Sequence, residues 1–182
     1  MKTLLSAFVL LLVLVLFSCK KNDPLPAATQ DGANTFGCKV NGKAWIPDGV
    51  GGFARIKAIS GGYVGTSISP TPNSVFISTY RSDRTKIDLH IQGVNKTGVY
   101  ELNKSTNILY AELRPLNYGA YFPDPGKAFA TNNKYTGTVN ITRADTVNRI
   151  VSGTFGFTVY DPDSKQTISI TDGRFDVDYK KQ

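Results

Sequence analysis

With 182 residues, 21 Lys and Arg against 14 Asp and Glu, and a formal charge of +7 at pH 7, the chain is modestly basic. Its basic residues are scattered and not gathered on one element, which argues against nucleic acid as a partner. Two cysteines and one histidine exclude a disulfide framework and leave too few ligands for a zinc site, which takes roughly three or four.

The chain opens on Met1-Lys2, runs through an apolar stretch from Leu4 to Phe17 and reaches Ser18-Cys19. That stretch is shorter than the roughly 20 apolar residues a membrane-spanning helix needs, and it has the layout of a secretory leader. Leu16-Phe17-Ser18-Cys19 resembles the lipobox of bacterial lipoproteins. The resemblance implies cleavage before Cys19, a diacylglycerol on its thiol and an acyl chain on its new amino group. Residues 1–18 are therefore read as a lipoprotein signal peptide and Cys19 as the lipidation site. One acyl chain binds a membrane only marginally, at about 0.8 kcal/mol per buried methylene, whereas further chains make desorption very slow. Loss of Lys2 with the leader leaves 20 basic against 14 acidic residues, or +6.

Residues 19–34, with Pro24, Pro26 and little apolar content, read as a flexible tether with a reach of about 45–50 Å when extended. In bacterial lipoproteins the residues after the acylated cysteine help sort between membranes. Lys20 in second position, with Asp23 the only acid among the next four residues, points to the outer membrane, with the domain in the periplasm or at the cell surface.

Residues 35–182 read as one domain, long enough to bury about 70% of its unfolded surface. Apolar residues recur with period two, and no stretch keeps a helical period for three turns. Thr35 to Val40 and Lys43 to Ile46 form a hairpin across Asn41-Gly42, whose residues accept the positive φ of a tight turn. Trp45 is expected to plug one end of the core. Weaker strands follow at Phe53 to Ile59 and Tyr63 to Ser69, divided by Gly61-Gly62, and a Pro70-Thr71-Pro72-Asn73 turn leads into Val75 to Tyr80. Lys86 to Gln92 alternates, with Ile87, Leu89 and Ile91 on a buried face and Asp88, His90 and Gln92 on a wet one. Gly98 to Leu102 and Asn107 to Leu113 continue the meander, and Arg114 to Asn133 is a long aromatic, Pro- and Gly-bearing loop that can carry a crossover. Tyr135 to Thr142, Ile150 to Tyr160, Gln166 to Thr171 and Arg174 to Tyr179 complete the domain, the last two as a hairpin through Asp172-Gly173. About ten short strands predict an all-β antiparallel sandwich, with an up-and-down barrel as the alternative.

The stretch Pro26-Ala27-Ala28-Thr29-Gln30-Asp31-Gly32-Ala33-Asn34-Thr35-Phe36-Gly37-Cys38-Lys39-Val40-Asn41-Gly42-Lys43-Ala44-Trp45 resembles the opening of small lipoproteins common in Bacteroidota. The closing run from Val151 to Tyr179 resembles the end of the same group, domain-of-unknown-function family 6252. The resemblance covers both ends of the mature chain and implies envelope localisation and a β fold. It carries over no activity and no site residues.

The residues that could carry chemistry are few. Cys38 is expected as a small buried thiol in a strand, and His90 as a surface histidine with no nucleophile elbow to serve. Asp161-Pro162-Asp163-Ser164 reads as a solvated turn, since a calcium loop takes roughly six to eight oxygens. Asp88, Glu101, Glu112, Asp145 and Asp176 are acids of unfixed separation, so a glycosidase pair has no specific support. Tyr118, Tyr121 and Phe122 are the candidate ligand-binding residues, with Tyr110 and Phe129 nearby. Rings beside polar groups on a loop suit a glycan or an envelope protein, and the competing account is that they cover one end of the core. The sequence thus predicts a lipid-anchored, non-enzymatic binding or accessory module, with no metal and no cofactor. The alternatives are a barrel carrier of a small lipid-like ligand and an envelope hydrolase.

Overall fold

Period-two alternation dictates strands. The computed structural model, which describes residues 24–52, 55–64, 73–105 and 117–181, contains eleven of them and no helix among the described residues. In chain order they are β1 (Thr35–Val40), β2 (Lys43–Trp45), β3 (Ile59–Val64), β4 (Ser74–Tyr80), β5 (Lys86–Ile91), β6 (Gly98–Leu102), β7 (Tyr118–Asp124), β8 (Lys127–Ala130), β9 (Gly137–Asp145), β10 (Ile150–Asp161) and β11 (Gln166–Asp178). They form a six-stranded sheet in the order β2-β1-β11-β10-β9-β6 and a five-stranded sheet in the order β3-β4-β5-β7-β8. Every pairing is antiparallel. Neither sheet closes on itself, so the fold is the all-β sandwich and not the barrel.

Three local expectations are corrected. β3 runs straight through Gly61 and Gly62, which keep pairing with Ile77 and Phe76 at φ of 116° and 141°, a region that glycine enters without steric cost. Asp172-Gly173 is not a hairpin but an irregularity inside the single strand β11. There Asp172 takes φ 53° and the register on β10 shifts between Phe155 and Phe157. The aromatic loop holds a hairpin, β7 and β8 joined at Pro125-Gly126, with Asp124 opposite Lys127. The crossings between sheets fall on either side of it. The expected strand Asn107 to Leu113, the Pro70 to Pro72 turn, Phe53 and residues 65–69 lie outside the described residues.

The core lies between the sheets. Phe36, Phe155, Phe157 and Phe175 from the larger sheet share one cluster with Ile77, Ile87, Leu89 and Ile91 from the smaller. Burying each side chain of this size is worth about 1.5–3 kcal/mol. Trp45 does plug one end, 2% exposed and edge-on to Phe36 at 6.1 Å. Its indole N–H donates to the Thr85 hydroxyl at 2.8 Å, tying β2 of one sheet to the β4–β5 turn of the other.

The tether expected over residues 19–34 does not extend through residues 25–34. From Leu25, only 6% exposed, the chain is part of the domain, with Leu25 and Pro26 packed over Gly37. Asp176 on β11 holds the rest. Its carboxylate accepts from the Thr29 hydroxyl at 2.7 Å, from the Asp31, Gly32 and Ala33 amides at 2.9, 2.9 and 3.1 Å, and from the Ser152 hydroxyl at 2.7 Å. Burial alone would raise this carboxyl, but the bonds from Ser152, Thr29, Ala33 and Gly32 outweigh it and hold the group below its ordinary value. Asn34, at φ 54°, accepts from the Asp178 amide at 3.0 Å and turns the chain into β1. Arg143 donates to the Gln30 carbonyl, and Arg174 to the Pro26 carbonyl at 3.2 Å.

Candidate functional site

The outer face of the five-stranded sheet is built from the residues that alternate away from the core. Register places them in three rows across β4, β5 and β7: Tyr80, Lys86 and Phe122; then Ser78, Asp88 and Ala120; then Phe76, His90 and Tyr118. The wet face expected for β5 is not wet. Asp88 and His90 are each 4% exposed, Ser78 4% and Tyr118 8%. Alternation separates the two faces of a strand, but what covers each is decided elsewhere in the chain.

Burial at this face is matched by pairing. Ser78 donates its hydroxyl to Asp88 at 2.8 Å, and the Lys86 ammonium lies 2.7 Å from the other oxygen of the same carboxylate. Burial nevertheless pushes the Asp88 carboxyl up, against the pull of Lys86 and Ser78. His90 sits between rings, stacked on Tyr118 at 5.6 Å and 6.4 Å from Phe76. A serine nucleophile must hand its proton to an imidazole, whereas Ser78 points its proton at a carboxylate. Cys38 is fully buried, and burial pushes its thiol up to about 12, so it is neutral and structural, as expected.

The three rings singled out in the sequence are not brought together. Tyr118 is buried against His90. Tyr121 opposes Ile87 and Phe129, packs against the core cluster, and has its phenol pushed up chiefly by burial. Tyr121 and Phe122 are both half-buried, and of the three rings Phe122 lines the cleft at the end of the covered face. Period two along β7 puts Tyr121 on one side of the sheet and its two neighbours on the other. Cys19, Tyr110 and Glu112 lie outside the described residues.

Phe122 lines a cleft of about 290 Å³ where the covered face ends, together with Tyr80, Lys86, Val50 and Ile56. The Lys86 ammonium sits 4.5 Å from the Phe122 ring centre and 5.2 Å from that of Tyr80, so one cation fixes both rings while Asp88 neutralises it. One wall comes from a segment outside the strands. Val50 and Ile56 exchange backbone hydrogen bonds at 3.0 Å, and the Gly49 amide donates to the Tyr80 carbonyl at 2.9 Å. Gly49 has φ 78°, and a Cβ there would lie 2.7 Å from the Ile56 carbonyl oxygen, so only glycine fits. Arg84, from the β4–β5 turn, and Asp124, the last residue of β7, complete the rim. The Arg84 turn is pinned by Asp48, which accepts from the Ser82 amide at 2.6 Å and hydroxyl at 2.8 Å; these bonds hold the Asp48 carboxyl below its ordinary value. Ile56 is 42% exposed beside the cleft. Sequence reasoning reached Phe122 but not Tyr80, Val50, Ile56 or Arg84, which no local motif joins.

A second cleft, about 250 Å³, lies on the outer face of the larger sheet beside Thr138, Asn140, Thr154, Asp172 and Ala28. Asp161 accepts from the Asp163 and Ser164 amides and from the Ser164 hydroxyl at 2.9, 3.4 and 2.7 Å, as a closed turn does. Among the described residues no group of three His, Cys, Asp or Glu side chains could hold a metal ion, and no helix is long and apolar enough to cross a membrane.

Searches of curated proteins and of solved structures find no match to the chain. A family does match, over residues 64–177, which takes in β4 to β10, most of β11, the middle that the resemblance left unplaced, and Asp176. The opening from Pro26 to Trp45 precedes the matched range. The chain therefore belongs to the family described as Domain of unknown function (DUF6252).

Proposed function

We propose that the protein is a lipid-anchored outer-membrane module, facing the periplasm or the cell exterior, that acts by binding or as an accessory subunit and not as an enzyme. The observation that carries this reading is the Asp176 latch. The segment from Thr29 to Ala33, only ten residues beyond Cys19, is bonded into the middle of the larger sheet. An acyl chain on Cys19 would thus be coupled to the rigid part of the fold, the six residues from Cys19 to Leu25 reaching at most about 20 Å. The leader and Ser18-Cys19 supply the anchor.

The non-enzymatic half rests on the state of the nucleophiles. Ser78 is committed to Asp88, and the Cys38 thiol is buried and neutral. Among the described residues, each of these two clefts carries one acid, Asp124 in one and Asp172 in the other, whereas glycoside cleavage uses a facing pair. Carriage of a lipid inside a barrel has no support in two open sheets with a filled core between them.

The test is Cys19→Ser in the native host, followed by membrane fractionation. Release of the variant from the membrane supports the reading; unchanged membrane association of a folded variant overturns it.

A further inference from the structure

The cleft between Val50, Ile56, Tyr80 and Phe122 carries two charged side chains that form no close ion pair. Arg84 and Asp124 both contribute to its wall, and among the described residues neither side chain takes part in a hydrogen bond or an ion pair. Lys86, by contrast, is spent: its ammonium is bonded to Asp88 and faced by two rings. What remains open is one guanidinium, one carboxylate and a floor of carbon.

We propose that this cleft binds a small zwitterion with an apolar body, the simplest being a free apolar α-amino acid. The ligand's carboxylate meets Arg84, whose planar fork matches it. Its ammonium meets Asp124, and its side chain lies against Val50, Ile56 and Phe122. A plain anion would also face Asp124, which has Lys127 opposite it across the turn, and a plain cation would face Arg84. A ligand with both signs answers both. A sugar fits the wall poorly, because each hydroxyl turned toward carbon loses its water without a replacement partner. Size agrees: about 290 Å³ is roughly twice the cavity of about 150 Å³ that accepts benzene, which leaves room for one ring with its charged end.

Arg84 is held on a braced turn and Asp124 at the paired end of β7. Asp48 and the Arg81–Thr85 backbone bond at 3.0 Å fix the Arg84 turn. Pro125-Gly126 fixes Asp124, and Lys127 just beyond is tied to Asp163 at 2.9 Å. Little ordering is then left to be done by the ligand, which favours affinity for a small molecule. The inference deepens the binding half of the function proposed above and does not depend on the anchor.

Calorimetric titration of the full-length chain in detergent tests it, with three probes: L-phenylalanine, N-acetyl-phenylalanine, which lacks the ammonium, and phenethylamine, which lacks the carboxylate. Phenylalanine is expected to bind at least about tenfold tighter than either analogue, the loss expected for one good charged contact. Arg84→Ala should erase the preference over phenethylamine, and Asp124→Ala the preference over the acetylated form, both with unchanged thermal unfolding. No saturable binding of phenylalanine up to about 10 mM, equal affinity for the three probes, or unaltered preferences in both variants would each overturn the proposal. Calorimetry reads the cleft and fractionation reads Cys19, so failure of one leaves the other standing.

Discussion

Replacing Asp176 by alanine removes the acceptor of five hydrogen bonds at a position with 0% exposure. The bonds from the Gly32 amide and the Ser152 hydroxyl are buried, whereas those from Thr29, Asp31 and Ala33 are partly so and regain water when the carboxylate is gone. A bond to a charged group is worth about 1.5–3 kcal/mol, so the two buried donors alone set the loss at about 3–6 kcal/mol. That is a large share of the roughly 5–15 kcal/mol that holds a domain together. At about 2–4 °C per kcal/mol for this size, the midpoint should fall by about 6–24 °C. Asp176→Asn keeps one oxygen but turns an NH2 toward the donors, and should lose about half as much. The sign with pH follows from the lowered folded-state value. The carboxylate stabilises the fold above its unfolded pKa of about 3.9 and stops doing so as pH falls through the folded one. The gap between wild type and Asp176→Asn is therefore widest near neutrality and closes in acid. Urea titrations followed by circular dichroism at several pH values measure both. A loss below about 1 kcal/mol for Asp176→Ala, or a gap that widens in acid, would refute the latch.

Asp88 should behave with the opposite sign. Burial raises its folded-state value, so ionisation opposes the fold as pH climbs from about 3.9 toward that value, and the stability of Asp88→Asn relative to wild type should rise over the same window in denaturant titrations. Cys38, with its thiol pushed up to about 12, should resist a thiol reagent at about pH 8 in the native protein and react at once in urea; labelling of the native state would contradict its burial. Gly49→Ala puts a side chain at φ 78° against the Ile56 carbonyl and should cost at least about 1–2 kcal/mol. Faster amide exchange at Val50 and Ile56 would report the loosened cleft wall, and unchanged exchange would count against the account of that wall.

Much of the sandwich is legible in the sequence because its strands carry their own alternation. Ile87, Leu89 and Ile91, or Phe155, Phe157 and Val159, announce a buried face without reference to any partner, and Asn41-Gly42 announces its turn. Where a local signal has two structural meanings, the neighbours decide. Asp172-Gly173 is good turn chemistry, yet β10 runs past it for its whole length and holds β11 as one strand, so the same positive φ becomes a bulge. Pro125-Gly126 is equally good turn chemistry, hidden by the aromatic residues around it. The polar side of β5 shows a second limit. Period two distinguishes Asp88 and His90 from Ile87 and Leu89, but it does not reveal that both faces are covered. The latch and the cleft were illegible for a simpler reason. Asp176 bonds to residues 143 to 147 positions away, and the cleft joins Val50, Tyr80 and Phe122, so neither leaves a pattern within any short window.

The central claim of the proposed function is that the mature chain begins at an acylated Cys19 and is latched to its domain from Thr29, ten residues later. Mass spectrometry of the N-terminal peptide from protein extracted from native membranes tests it directly. The account predicts a peptide starting at Cys19 that carries a diacylglycerol and a further acyl chain; a retained leader, or a free thiol at that residue, would contradict it.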